Sequence, residues 1–313
     1  MEQQVTELPK PPSEIRRIFI GGRGIRAGWS VAIFIAILAV ISFALVFPVR
    51  LVLQHMHLPM NGSLPVPTGS MELALFLGVL CASMIMTRIE HKPAISYGLD
   101  GPNRIKNFLW GLLFGFIALS VLVGALKLFG FIQFDGEQIF GFRAVKYAVA
   151  WGVVFIIVGL YEEYTMRGYL LAILSRGIGF WWSAVILSVA FGSLHLSNTG
   201  ESPVGIFSAA AIGLLFCVSL WYLKTLWWAI GFHAAWDWAE SYFWGTADSG
   251  LTMKGHLFGV HPQGNILWSG GATGPEGSML VVPLLIIIGL LMWLAWRKKR
   301  VAAGPVAESG ATS

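Results

Sequence analysis

Long apolar runs, separated by short polar stretches, set the hydrophobic pattern of this chain. Eight such runs lie at about residues 29–46, 71–86, 108–129, 144–160, 180–196, 204–223, 226–243 and 280–296. A helix needs roughly 17–25 mostly apolar residues to cross a bilayer, and these runs have about that length. The pattern therefore predicts an all-α fold, a polytopic transmembrane helical bundle with about eight spans. It leaves no room for a soluble domain between the spans.

The composition agrees with an integral, multi-pass membrane protein that is surrounded by lipid. Of the 313 residues, 56% are hydrophobic and 12% are charged, whereas a soluble domain has roughly 25% charged residues. The formal net charge is +5, but the basic residues lie at the ends of apolar runs, so we expect no nucleic-acid partner. Cys81 and Cys217 lie far apart in apolar runs, which indicates neither a disulfide framework nor a cysteine metal site.

Lysine and arginine are divided unevenly between the two sides of the predicted bundle. They cluster before the first run, between the second and third runs, and after the eighth run, whereas the alternate loops hold few. Loops rich in these residues usually face the cytoplasm, so we expect both termini to be cytoplasmic. The glycine-rich loop 245–278 would lie on the other side, and as the one long connection it is a candidate lid or gate.

The chain is predicted to have one membrane domain between two polar ends. Residues 1–28 form a cytoplasmic N-terminal segment, residues 29–300 the transmembrane domain with a motif core at 144–245, and residues 301–313 a disordered tail.

Two adjacent carboxylates and a guanidinium stand at membrane depth, where ionisable groups are costly and usually functional. These residues, Glu162, Glu163 and Arg167, follow the fourth run. On a helix, Glu163 precedes Arg167 by four residues, the favourable order for an ion pair, and Glu162 points about 100° away. We therefore expect Glu163 to be held by Arg167 and Glu162 to be available for chemistry. Glu162 reaches mid-depth only if the fourth helix continues to about residue 174.

Two histidines also lie at membrane depth. His195 follows Phe191 by four residues at the end of the fifth run, and His233 precedes Asp237 by four within the seventh. On a helix, Asp237 can orient the imidazole of His233. If Glu162, His195 and His233 converge, they could deprotonate a water or bind a divalent metal such as zinc. Intramembrane His and Asp can also simply stabilise helix packing.

The order EExxxR, FxxxH and HxxxD on successive spans resembles the CAAX protease and bacteriocin-processing family (CPBP, or Abi), which includes the type II CAAX prenyl endopeptidases. The matching residues are Glu162, Glu163, Arg167, Phe191, His195, His233 and Asp237. The resemblance implies that Glu162 and His195 activate the attacking water, and that His233 and Asp237 stabilise the oxyanion or position the water. The family's third motif often ends in Asn, and Asp237 adds a negative charge there, which leaves a metal-dependent mechanism open. The family's distribution implies a prokaryotic cytoplasmic (inner) membrane.

We therefore predict an intramembrane endopeptidase for membrane-associated substrates, either prenylated CAAX-type proteins or bacteriocin-type peptides. The HExxH, GxGD and GxSG motifs of other intramembrane proteases are missing from the sequence. Two alternatives stay open. In a proton-coupled secondary transporter, Glu162, His195 and His233 would relay protons, although the two related halves typical of transporters are not visible. The other alternative is a catalytically inert membrane scaffold or immunity protein.

Overall fold

The structure, a computed structural model, describes residues 18–22, 24–91 and 97–298. The predicted disordered tail, residues 301–313, falls outside these described ranges.

The described chain is mainly α-helical. Its α-helices are α1 Ala27–His55, α2 Pro65–Ile89, α3 Arg104–Leu128, α4 Gly141–Glu163, α5 Leu171–Ile178, α6 Phe180–Leu194, α7 Pro203–Leu223, α8 Trp227–Asp237, α9 Ile266–Ser269 and α10 Val281–Trp296. A π-helix, Tyr164–Leu170, joins α4 to α5, and a second, Trp238–Trp244, extends α8. Short 3-10 helices lie at His195–Ser197 and Pro275–Gly277.

Four short strands complete the described part of the chain. They are β1 Ile20–Gly21, β2 Gly24–Ile25, β3 Ile132–Glu137 and β4 Phe258–Pro262. Strand β1 pairs with β2, and β3 pairs with β4, both antiparallel. The β3–β4 pair joins two loops that are distant in sequence, and the apolar pattern did not predict it.

The helices confirm the predicted all-α polytopic bundle. Among residues 18–22, 24–91 and 97–298, six helices are long and apolar enough to cross a membrane, namely Ala27–His55, Pro65–Ile89, Arg104–Leu128, Gly141–Ile178, Phe180–Ser197 and Pro203–Leu223. The seventh and eighth predicted runs fall in shorter helices, α8 with its π-helical extension and α10. The fourth helix continues to Ile178, which confirms the extension that Glu162 required.

Local sequence explains two of the helix boundaries. Gly179 has φ +82°, a conformation that favours glycine, and it separates α5 from α6. Ser202 caps α7, where its hydroxyl accepts a hydrogen bond from the backbone N–H of Gly205 at 3.1 Å. Pro203 then occupies the first turn, where a missing N–H costs nothing.

One end of the bundle, which we call the loop end, gathers loops 56–64, 129–140, 198–202 and 245–280. The backbone N–H of Lys254 donates to Ser63 O at 2.9 Å, and the hydroxyl of Thr273 donates to Gly200 O at 3.0 Å. Strands β3 and β4 add a third link between these loops. The four loops therefore lie on one side.

The opposite end, which we call the terminal end, holds the remaining described connections, the start of α1 and the end of α10. The backbone N–H of Leu226 donates to Gly98 O at 2.9 Å, and Arg176 pairs with Glu90 at 2.9 Å. The ring of Trp296, the last residue of α10, lies 6.1 Å from that of Tyr222. The spans therefore alternate in direction, as the eight-span prediction requires.

The outward faces of the helices are apolar, as a lipid environment requires. Large side chains such as Val40 and Phe43 of α1, Val121 of α3 and Leu290 of α10 are exposed. In water such a surface would be unusually large for a monomer, whereas in a bilayer it contacts lipid tails.

Glycines let α3 and α8 pack with their backbones in contact. A Cβ at Gly111 would lie 2.2 Å from Trp228 O, and one at Gly115 would lie 2.2 Å from Phe232 O. A Cβ at Gly231 would meet Phe108 O at 2.3 Å. Small residues four apart commonly allow this close approach between membrane helices. The contact fixes the position of α8, which carries both motif residues of the seventh run.

We expect Gly115→Ala to destabilise the protein, because the added methyl group meets a backbone carbonyl that cannot move aside. Overpacking of this kind costs about 1–3 kcal/mol. Gly124→Ala on the same helix is the matched control, since nothing lies within 4 Å of its Cβ position. Thermal unfolding in detergent should show a lower Tm for Gly115→Ala alone. Equal Tm values for the two variants would contradict the close packing.

We also expect the two ends of the bundle to face opposite compartments, with the terminal end cytoplasmic. A topology reporter fused to the C-terminus and one inserted beside Lys254 should report different sides, with the C-terminal reporter in the cytoplasm. The same side for both would contradict the eight-span arrangement.

Candidate active site

A buried ion pair lies at the centre of the motif region. Arg167 Nη1 donates to Glu163 Oε1 at 3.0 Å, and both side chains have 0% exposure. This confirms the pair predicted from the four-residue spacing. The ring of Phe191 lies 4.3 Å from the guanidinium carbon, and a Cβ at Gly213 would come 2.2 Å from Arg167 Nη2. The guanidinium of Arg167 therefore packs against the face of the Phe191 ring, and the lack of a side chain at Gly213 leaves space for it.

Both helices that carry motif carboxylates change to π-helix directly after them. The first π-helix begins after Glu163, and the second begins after Asp237. A π-helical turn has a wider backbone than an α-helical turn and is frequent at functional sites. The sequence gives no periodic signal for this feature, and we did not predict it.

Glu163 has a second partner that the sequence did not reveal. Its Oε1 atom lies 2.9 Å from Nδ1 of His233, which comes from α8. Because a carboxylate only accepts hydrogen bonds, Nδ1 is the donor. The other ring nitrogen, Nε2, is thereby left to face the remaining motif residues.

The second nitrogen of His233 lies between two further carboxylates. His233 Nε2 is 3.6 Å from Glu162 Oε2 and 3.5 Å from Asp237 Oδ2. The i,i+4 pairing of His233 with Asp237 agrees with the shared helix face that we predicted. Glu162 is the most exposed of the three acids around this imidazole, at 28%. It therefore has the freest access to a bound molecule.

His195 is oriented by its own helix. It follows the last residue of α6, and its Nδ1 lies 2.9 Å from Phe191 O. Since a carbonyl only accepts, Nδ1 donates and Nε2 keeps a lone pair. Phe191 packs edge-on against His195, with 5.0 Å between ring centres. Phe191 thus contacts both Arg167 and His195.

A cavity of about 170 Å³ brings the predicted residues together. Its walls include Glu162, His195, His233 and Asp237. The volume is enough for several water molecules, and polar walls can hold them. The cavity lies towards the loop end, because His195 ends α6 and Asp237 ends α8 at that side of the bundle.

The cavity also has acidic residues that we did not single out from the sequence. Glu72 of α2 lines it, as do Asp248 and Glu276 of the long loop. Glu72 could have been found, because it is the one charged residue in the apolar run 71–86. Burial raises the pKa of Asp248 to about 7 and that of Glu276 to about 7.

The long loop 245–278 contributes a wall of the cavity through Asp248, Ser249, Leu251 and Met253. The loop therefore lies where a lid or gate would lie. That it opens stays a prediction.

The geometry does not fit the metal site suggested by the sequence. Glu162, His195 and His233 line one cavity, but among the described residues they do not form a group whose ligand atoms all lie within 4.8 Å of one another. A four-coordinate zinc ion needs such atoms at roughly 2.0–2.2 Å from itself. We therefore describe no step through a metal at these three residues.

Comparisons with curated proteins and with solved structures gave no match. A comparison with protein families gave one, which spans the helices that carry all seven motif residues. Residues 144–239 match the family described as type II CAAX prenyl endopeptidase Rce1-like, and this match confirms the resemblance of the motif region to CPBP intramembrane proteases.

Proposed function

We propose that this protein is an intramembrane endopeptidase that hydrolyses a peptide bond of a membrane-associated substrate. The observation that carries the proposal is the cavity of about 170 Å³, which Glu162, His195, His233 and Asp237 line inside an apolar bundle. The family match over the same helices supports it, because that family consists of endopeptidases.

Glu162 acts as the general base. It has no arginine partner among the described residues, whereas its neighbour Glu163 accepts hydrogen bonds from both Arg167 and His233. A carboxylate whose lone pairs are engaged is a poor base, and one that faces water is a better one. Glu162 takes a proton from the water, whose oxygen attacks the carbonyl carbon. The proton then passes to the nitrogen of the departing amine.

His195 positions the attacking water. Its Nδ1 is occupied by Phe191 O, so its Nε2 can accept a hydrogen bond from that water. Two acceptors, Glu162 and His195, then hold both protons of one water and direct its oxygen lone pair towards the substrate. The water reaches them from the loop end.

His233 stabilises the oxyanion. Carboxyl groups from Glu162, Glu163 and Asp237 contact its ring and can compensate the positive charge of its imidazolium form. Its Nε2–H then donates to the carbonyl oxygen as negative charge develops there. A donor of this kind is typically worth about 10²–10³ in kcat. Asp237 holds the ring at the angle that aims Nε2 at the cavity.

The substrate class follows from the shape and surroundings of the cavity. A space of about 170 Å³ does not admit a folded domain, so the cleaved segment is extended. Apolar, lipid-facing helices surround it, which favours substrates that are already held at the membrane, such as prenylated CAAX-type proteins or bacteriocin-type peptides. We place the enzyme in a prokaryotic cytoplasmic membrane.

The two adjacent glutamates should behave differently when each is changed to glutamine. Glu162→Gln keeps the side-chain size and leaves no buried charge unpaired, so the Tm should hold while turnover falls by about 10²–10⁴. Glu163→Gln leaves Arg167 buried without its counter-ion, which costs about 3–5 kcal/mol, and also loosens His233. It should lower both the folded yield and the rate.

Melting temperature and cleavage of a peptide library, expressed per folded molecule, separate the two variants. If Glu162→Gln cleaves at the wild-type rate, the assignment of the base is wrong.

His195→Ala should abolish cleavage and leave the fold intact, because its one described hydrogen bond runs to its own helix. Ser193→Ala is the matched control. Ser193 also bonds to a carbonyl of its own helix, Val189 O, but its side chain is exposed and does not line the cavity. Both variants should unfold near the wild-type temperature, and only Ser193→Ala should keep its activity. Cleavage by folded His195→Ala would remove His195 from the mechanism.

A further inference from the structure

Three carboxylates outside the proposed catalytic group converge at the loop end. Glu240 belongs to the π-helix Trp238–Trp244, Asp248 to the turn that follows, and Glu276 to the 3-10 helix Pro275–Gly277. One carboxylate oxygen from each lies within 4.8 Å of the other two. The cluster thus joins the end of α8 to both ends of the long loop.

Glu240 is buried without a hydrogen-bond partner. Its exposure is 0%, and neither Oε1 nor Oε2 makes a hydrogen bond among the described residues. The backbone N–H of Glu276 favours the carboxylate electrostatically, but it does not reach hydrogen-bond geometry. A buried carboxylate that lacks partners is costly, and beside two other acids that cost is relieved by a bound proton or by a bound cation.

The other two acids are held in place by local contacts. Ser241 Oγ donates to Asp248 Oδ2 at 2.8 Å. The backbone N–H and the hydroxyl of Ser249 donate to Glu276 Oε1 at 2.8 and 2.5 Å. These bonds orient the carboxylates without neutralising them. Within the described chain, no lysine or arginine pairs with any of the three acids.

We propose that Glu240, Asp248 and Glu276 bind one divalent cation. All three ligands are carboxylate oxygens, which suit hard cations such as Ca²⁺, Mg²⁺ and Mn²⁺, whereas zinc sites in proteins usually include nitrogen or sulfur ligands. The carboxylate oxygens that could ligate it all lie within 4.8 Å of one another, close enough for one ion to contact all three residues. Ca²⁺ accepts a flexible coordination geometry, whereas Mg²⁺ demands a near-ideal octahedron and gives up its waters reluctantly. Calcium is therefore the cation that we test first.

The cation would fasten the long loop to the helix that carries the proposed oxyanion donor. Asp248 and Glu276 also line the catalytic cavity, and Glu240 follows Asp237 by three residues. The ion is thus a structural clamp on one cavity wall, separate from the water-activating pair Glu162 and His195.

The test uses the full-length protein in detergent, stripped with chelator and exchanged into metal-free buffer. Calcium is then added, with Mg²⁺, Mn²⁺ and Zn²⁺ in parallel samples, and bound metal and Tm are measured. We expect about one Ca²⁺ per chain and a rise in Tm on the order of 5 °C at saturation. Neither readout depends on proteolysis, so the outcome is independent of the proposed function.

Three variants locate the site. Glu240→Gln should lose calcium binding and the calcium-dependent rise in Tm, and should melt higher than the wild type in chelator because a buried charge is removed. Glu137→Gln changes an exposed acid of β3 at the same end, and should bind calcium like the wild type. Glu162→Gln should also keep calcium binding, because it lies outside the cluster. If Glu240→Gln does not fold, Asp248→Asn takes its place with the same expected loss.

Three results would overturn the proposal. In the first, the wild type binds no calcium and its Tm does not change, which means that protons neutralise the cluster. In the second, Glu240→Gln and Asp248→Asn still bind calcium. In the third, zinc alone binds and the binding is lost in Glu162→Gln, which would place the metal among the proposed catalytic residues.

Discussion

The carboxylate of Glu163 is the contact on which the site depends. One of its oxygens accepts from Arg167 on its own helix and from His233 on another, and the side chains of Glu163 and Arg167 are both fully buried. A charge in that position is tolerable only if its partners stay in place. The same contact fixes which nitrogen of His233 faces the cavity. Stability and chemistry are therefore coupled through one acidic group.

Close backbone packing makes that contact reachable. Gly231, two residues before His233, lies against the backbone of α3, and a Cβ at Gly159 of α4 would come 3.0 Å from Ile230 O. Because α8 touches both neighbours at backbone distance, its imidazole reaches Glu163 directly. Larger residues at these positions would push α8 outwards, and the ionic contacts would lengthen. Small residues in the apolar spans thus determine how closely the helices approach, and therefore the distances between the polar side chains that the helices carry.

The sequence predicted the local contacts and that Glu162, His195 and His233 share one site, but it missed the other contacts between distant residues. Apolar runs predicted the helices, and four-residue spacing predicted the contacts of Glu163 with Arg167 and of His233 with Asp237. The contact between Glu163 and His233 joins residues 70 positions apart, so periodicity holds no trace of it. The change from α-helix to π-helix does not alter the pattern of apolar residues, so that pattern could not predict it. The buried acids of the long loop, such as Asp248, look like ordinary loop residues until the fold encloses them.

The location of the cavity decides which water the site exchanges with. Its walls come from the loop-end parts of the helices and from the long loop, whereas α10 finishes at the opposite end. The solvent closest to the cavity is therefore that of the compartment on the loop side. If the proposed hydrolysis takes place there, we expect its proton exchange to follow the acidity of that compartment.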